Sequence, residues 1–140
     1  MPSQLNIYCD GGARGNPGPA ASAFIVKDSS GQIIHEQGFY LGTSTNNQAE
    51  YQAVIESLKW LSTTNYKLST MNYYLDSQLV VNQLKGTFKV KDENLKLKKQ
   101  EVEKLLDQLG QLEIRNFVYV PRTQNSRADF VVNQTLDNHS

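Results

Sequence analysis

The chain has 140 residues, of which 39% are apolar and 20% charged, a balance that suits one globular domain over 1–140. Lys and Arg total 14 and Asp and Glu total 14, so net charge gives no argument for a polyanionic partner. No apolar run reaches bilayer-spanning length, the segment from Met1 to Leu5 lacks the marks of a signal peptide, and Cys9 is the single cysteine. Those features exclude a membrane span and an intrachain disulfide, and the expected setting is cytoplasmic.

Leu5 to Cys9 alternates apolar and polar residues and predicts a first strand. Gly11 to Pro19 is too rich in Gly and Pro for a helix or a central strand and is expected to be a loop. Ala21–Lys27 and Gln32–Leu41 predict a second and third strand about the turn Asp28-Ser29-Ser30-Gly31. Thr43 to Gln48 reads as a polar turn into a helix whose apolar stripe is Val54, Leu58 and Leu61. Met71–Leu75 predicts a fourth strand and Ser77–Leu84 a short helix. Asn94–Leu109 follows as a longer helix, stopped at Gly110. Ile114–Val120 predicts the fifth strand. A last helix capped by Asn125 or Ser126 carries Ala128, Val131, Val132 and Leu136, and residues 137–140 are expected to fray. The first three strands can pair as a meander, while the last two arrive by helical crossovers and so add in parallel. The expected fold class is therefore α/β: a mixed five-stranded sheet, three strands antiparallel and two parallel, with helices on both faces.

Asp10 and Asp76 each close an apolar strand, and those strands are expected to be neighbours. Glu50 leads the inward stripe of the first long helix, and Asp129 precedes Val132 and Leu136 on the inward side of the last. Carboxylates are rarely buried without a partner or a metal. Each has an ordinary explanation: a turn residue for Asp10, an N-cap for Asp76, a first-turn acid for Glu50, a partner of Arg127 for Asp129. One shared cause, a cation pocket beyond the strand ends, explains them together. An all-carboxylate set suits Mg2+, and two such ions ~3.5–4 Å apart serve phosphodiester displacement. His35 and His139 lie outside the acidic segments, which argues against zinc.

Four segments carry a resemblance. They are Tyr8-Cys9-Asp10-Gly11-Gly12 with Gly15-Asn16-Pro17-Gly18, Thr45-Asn46-Asn47-Gln48-Ala49-Glu50, Leu75-Asp76-Ser77-Gln78, and Asn125-Ser126-Arg127-Ala128-Asp129. In this order the chain resembles type 1 ribonuclease H over nearly its whole length. The resemblance implies a ribonuclease H-like fold and endonucleolytic cutting of RNA paired to DNA, leaving 5′-phosphate and 3′-hydroxyl ends. It implies two Mg2+ ions, with Mn2+ as a substitute, held by Asp10, Glu50, Asp76 and Asp129. Asp10 would bridge both ions, and Glu50 would also approach the ribose 2′-hydroxyl. Asn16, Asn46, Asn47 and Gln78 match minor-groove contacts, for which amides suit because they donate and accept. Thr45 matches a residue that helps hold a DNA phosphate. The implied partner is an RNA/DNA hybrid, with double-stranded RNA as a further substrate of some members, and the expected state is a monomer.

Two departures are visible. The loop Val120-Pro121-Arg122-Thr123-Gln124-Asn125 lacks the histidine of many relatives; Arg122 stands nearest, as in a shorter branch of the family, and can supply charge but no proton. The extra basic helix of many relatives is also missing. Lys85, Phe88, Lys89, Lys91, Lys96, Lys98 and Lys99 stand there, as a reduced handle or simply a solvated face, and Trp60 reads as packing. Two rival functions stay open at this stage: a non-catalytic hybrid-binding module, and a nuclease of the same fold that cuts DNA or double-stranded RNA.

Overall fold

The computed structural model describes residues 2–110 and 114–140. The single-domain expectation for 1–140 therefore includes four positions, Met1 and 111–113, that lie outside the described residues. In chain order the elements are β1 (Gln4–Ala13), β2 (Gly18–Lys27), β3 (Ile33–Ser44), α1 (Asn46–Leu61) and β4 (Thr70–Leu75). They continue with α2 (Gln78–Lys85), α3 (Glu93–Leu109), β5 (Ile114–Tyr119), one 3-10 turn (Arg122–Gln124) and α4 (Ser126–Asn138).

The strands form one five-stranded sheet in the order β3-β2-β1-β4-β5. β1, β2 and β3 pair antiparallel, while β4 joins β1 and β5 joins β4 in parallel. This is the expected mixed sheet. Alternation along β2 splits the core between two faces. Phe24 and Val26 pack with Leu5, Ile7 and Cys9 against α1 and α3. Ala21, Ala23 and Ile25 pack against Ala128, Val131, Val132 and Leu136 of α4. Helices therefore cover both faces. Trp60 stacks on His35 with ring centroids 4.4 Å apart, a packing role as expected. Among the described residues, no helix is long and apolar enough to cross a membrane.

The loop expected over Gly11–Pro19 is shorter than its composition suggests. β1 runs on to Ala13 and β2 starts at Gly18, with Gly11 opposite Ser22 and Gly12 opposite Ala21. At Gly11 the glycine answers a close approach, since a Cβ there would strike the backbone of Ala49 and Glu50 in α1. Gly38 does the same on β3, where a Cβ would meet Thr135 and Val131 of α4. β3 likewise reaches Ser44, through the segment expected as a turn, and α4 continues to Asn138, through part of the expected frayed end. The connection between α2 and α3 contains no further helix. Gly86 ends α2 in the left-handed region, and the Asp92 side chain caps α3 by accepting from Leu95 N at 2.9 Å.

Candidate active site

β1 and β4 are paired in parallel as far as Tyr8 and Tyr74 and then part. Two residues farther on, each strand delivers a carboxylate, Asp10 and Asp76, into the gap. Asp76 is not a helix cap. Ser77 takes that post, its hydroxyl accepting from Val80 N at 3.2 Å, so the carboxylate beside it is left for other work. α1 brings the third acid. Its N-terminus is fixed by a capping box, with Gln48 N donating to Thr45 Oγ1 at 3.1 Å and Thr45 N donating to Gln48 Oε1 at 3.3 Å. The buried Ser22 hydroxyl donates to Ala49 O at 2.6 Å and holds the same turn against β2. Glu50 then lies over Gly11, whose N–H donates to Glu50 Oε1 at 3.3 Å.

Asp10, Glu50 and Asp76 can each turn an oxygen to within 4.8 Å of the other two. Asp10 and Glu50 are each 5% exposed. Asp129, half-buried on α4, lines the same cleft of about 390 Å³ but stands outside this tight group of three. Arg127 is engaged elsewhere, pairing with Glu36 on β3, so it does not neutralise Asp129.

Three acids this close, two of them buried, cannot all hold charge unaided. Burial, followed by the charges of Asp76 and Asp129, pushes the Asp10 carboxyl up to about 7, although a hydrogen bond with Glu50 pulls the other way. Burial also drives Glu50 well above the usual carboxylate range, and the Asp10 charge adds to it. Without a counter-cation the pair retains a proton. Glu50 Oε2 and Asp76 Oδ2 are buried and accept no hydrogen bond. Arg122 Nε is 3.5 Å from that Asp76 oxygen, but the arginine is 79% exposed and the contact is loose. Orphaned oxygens on clustered carboxylates fit a hard divalent cation, which takes oxygen ligands and replaces the missing donors.

The expected substrate-binding residues fall in two groups. Asn46, Asn47 and Arg122 line the cleft with the acids, whereas Asn16, Thr45 and Gln78 stand outside its lining. The carboxamide oxygens of two asparagines are already used: Ala13 N donates to Asn46 Oδ1 at 2.8 Å, and Asn46 N donates to Asn16 Oδ1 at 2.9 Å. Both bonds tie the end of β1 and its turn to the start of α1. They leave the amide NH2 groups as the ends free to meet a ligand. Gln78 is exposed at the first position of α2.

Asn125, one of the two residues expected to cap the last helix, stands at the N-cap of α4. Its side chain makes no cap hydrogen bond. It is 1% exposed, and its Nδ2 donates to Cys9 O at 2.8 Å, at the point where β1 has lost its neighbour β4. Arg14 and Asn133, outside the expected site residues, also line the cleft. The signal for Asn133 was its place one turn after Asp129, and Asn133 Nδ2 donates to Asp129 O at 3.0 Å.

The sequence profile of the RNase H family matches residues 2–137. The chain belongs to the RNase H family. A ribonuclease HI of Halobacterium salinarum is 37% identical over 134 residues, covering 96% of this chain and 65% of that protein. A bifunctional protein of Mycobacterium tuberculosis is 33% identical over 132 residues, covering 94% of this chain and 35% of its own length. The chain thus spans less than two thirds of these relatives. Among solved structures, LC11-RNase H1 in complex with RNA/DNA hybrid is 39% identical, has a TM-score of 0.90, and is covered over 96% of this chain and 98% of its own. The RNase H1 crystal structure from Halobacterium salinarum gives a TM-score of 0.87 at 36% identity, with 96% and 98% covered. Metal dependence belongs to this family, and Asp10, Glu50 and Asp76 are the residues whose geometry suits it.

Proposed function

We propose that the protein is a Mg2+-dependent ribonuclease H that hydrolyses the RNA strand of RNA/DNA hybrids, leaving 5′-phosphate and 3′-hydroxyl ends. The observation that carries this reading is the convergence of Asp10, Glu50 and Asp76, with two orphaned oxygens, in a cleft shared with Asp129. In this reading these four residues hold two divalent cations, for which Mn2+ is an alternative. When bound, such ions activate water and stabilise charge on the departing oxygen. The chain's own part is to hold and align. Gly11 N and the α1 cap orient Glu50. The NH2 groups of Asn16 and Asn46 donate to 2′-hydroxyls or base edges of the minor groove, as do Asn47 and Gln78. The Thr45 hydroxyl keeps its proton available for a phosphate, and Arg122 contributes positive charge beside Asp76. The shallow groove lined by Phe88, Lys89, Lys96 and Lys99 is the corresponding handle for the DNA strand.

The same proposal takes the chain as one domain acting as a monomer. It sets the enzyme in the cytoplasm, where the free and fully buried thiol of Cys9 suits a reducing milieu. The deciding experiment digests matched RNA/DNA, RNA/RNA and DNA/DNA duplexes with and without Mg2+, using wild type, Asp10→Asn and Asp76→Asn. The expected result is metal-dependent cleavage of the hybrid by wild type alone, with hybrid binding retained in both variants. Turnover by either variant would remove the mechanism, and cutting of RNA/RNA would widen the substrate class.

A further inference from the structure

Bound cations offset the charge of the clustered carboxylates, and cationic side chains on the cleft walls add to the attraction for a phosphodiester at the points they reach. Among the described residues, the cleft lining contains two such side chains, Arg122 and Arg14. They stand on different walls. Arg122 is beside Asp76, while Arg14 lies just past the end of β1, against α4.

Arg14 meets α4 through one nitrogen. Its Nη2 is 2.7 Å from Asp137 Oδ1 and donates to Asn133 O at 3.4 Å and Asn133 Oδ1 at 3.5 Å. The Nε and Nη1 groups make no hydrogen bond among the described residues, so three of the five guanidinium protons are unspent. The ion pair is open to water, with side chains 44% and 67% exposed, and exposed pairs add little to stability. Asn133 in turn holds the backbone oxygen of Asp129, so the guanidinium stands one side chain away from the fourth carboxylate of the cleft. The arginine is thus anchored at one end, close to the acids, with its remaining donors free.

We propose that the free Nε and Nη1 donors of Arg14 seat a backbone phosphate of the cleaved strand, on the side of the cut away from Arg122. The two arginines then bracket the carboxylates, and the strand is held by a phosphate on each flank of the scissile bond. The inference rests on the nuclease reading and deepens it. A guanidinium fork matches phosphate better than an ammonium does, so Arg14→Lys keeps the charge while losing the geometry.

The test uses the full chain and a fluorescein-labelled RNA/DNA hybrid. Binding is measured in Ca2+ or EDTA, cleavage in Mg2+, each over a series of salt concentrations. Arg14→Ala is expected to raise Kd and KM about tenfold, the worth of one charge-assisted hydrogen bond, with a much smaller change in kcat. Its plot of log affinity against log salt should be shallower by about 0.7–0.9, the signature of one lost phosphate contact. Arg14→Lys should keep the wild-type slope at weaker affinity. Asp137→Asn removes the same ion pair but leaves the guanidinium, and should keep both slope and Kd. If Arg14→Ala and Asp137→Asn lower Tm alike and neither moves the slope, Arg14 is only an ion-pair partner and the proposal is wrong. Because binding is read without turnover, absence of cleavage by wild type would overturn the nuclease reading separately from the Arg14 assignment.

Discussion

A single buried amide sets the relation between two of the cleft's walls. Asn125 gives up the capping hydrogen bond its position offers and instead donates to Cys9 O at 2.8 Å, next to Asp10. Its own backbone oxygen accepts from Asp129 N at 3.1 Å. One residue therefore links the strand carrying Asp10 to the helix carrying Asp129. Asn125→Ala would leave a buried carbonyl without a donor, and the expected loss is about 1–3 kcal/mol of stability. Asn125→Asp keeps the size but turns an acceptor toward an acceptor, and should be at least as damaging. The positioning role predicts more than lost stability: Mg2+ affinity measured by calorimetry below the melting range should also weaken in both variants. Unchanged Mg2+ affinity would reduce Asn125 to a structural residue. The asparagines that join the β1–β2 turn to the start of α1 obey a related economy. The resemblance implies that Asn16 and Asn46 both donate and accept; each oxygen already accepts one backbone N–H, from Asn46 and Ala13 respectively, while the NH2 groups are unengaged among the described residues.

At the scale of elements, periodic patterns were easy to read and glycine-rich ones were not. The stripe of Val54, Leu58 and Leu61 fixed the inward face of α1 and with it the direction of Glu50, and all three are buried. Alternation marked β1 and the apolar run Met71–Leu75 marked β4, hence the strand ends that carry Asp10 and Asp76. The segment from Gly11 to Pro19 misled because glycine has two uses. Composition argues for a turn, but at Gly11 the demand is for room, and only the packed arrangement of α1 on β1 makes that demand visible. The same limit hid Asn125 and Arg14, whose partners lie more than 100 residues away in sequence. The two glycines offer a direct comparison. Gly11→Ala would drive a methyl into the backbone of Ala49 and Glu50, forcing α1 off the strand. The expected cost is about 3 kcal/mol, with loss of the Glu50 placement and of metal-dependent cleavage. Gly12→Ala meets nothing nearer than Val132 Cγ1 at 3.8 Å and should stay close to wild-type stability. Thermal melts and Mg2+-dependent cleavage of the two variants check this, and similar behaviour of both would show that packing at Gly11 does not position α1.

For the whole molecule, the site is a place where folding works against local electrostatics. The sheet order puts β1 beside β4 and lets α1 and α4 close over their ends, so the hydrophobic core on both faces compels the acids to share a cleft. The resulting pH dependence has a definite sign. The Asp10 carboxyl rises from an ordinary 3.8 to about 7 on folding, chiefly by burial, and Glu50 rises as well. Between these limits the folded protein binds more protons than the unfolded chain, so stability falls as pH increases. Asp28 and Glu36, held below their ordinary ranges by Ser30 and Arg127 respectively, act in the opposite sense, but only where pH drops below the ordinary carboxylate range. In EDTA, Tm should therefore decline from about pH 5 through about pH 7, the window in which the Asp10 carboxyl loses its proton, and Glu50 adds to the decline. Mg2+ needs the deprotonated acids, so its stabilisation should be smallest at the acid end. At the alkaline end it should reach about 2.7 kcal/mol when the ion is at one hundred times its Kd. Asp10→Asn should flatten the EDTA curve and abolish most of the Mg2+ shift. A wild-type Tm that rose with pH in EDTA, or a Mg2+ shift independent of pH, would mean that these carboxylates are not the groups that folding forces together.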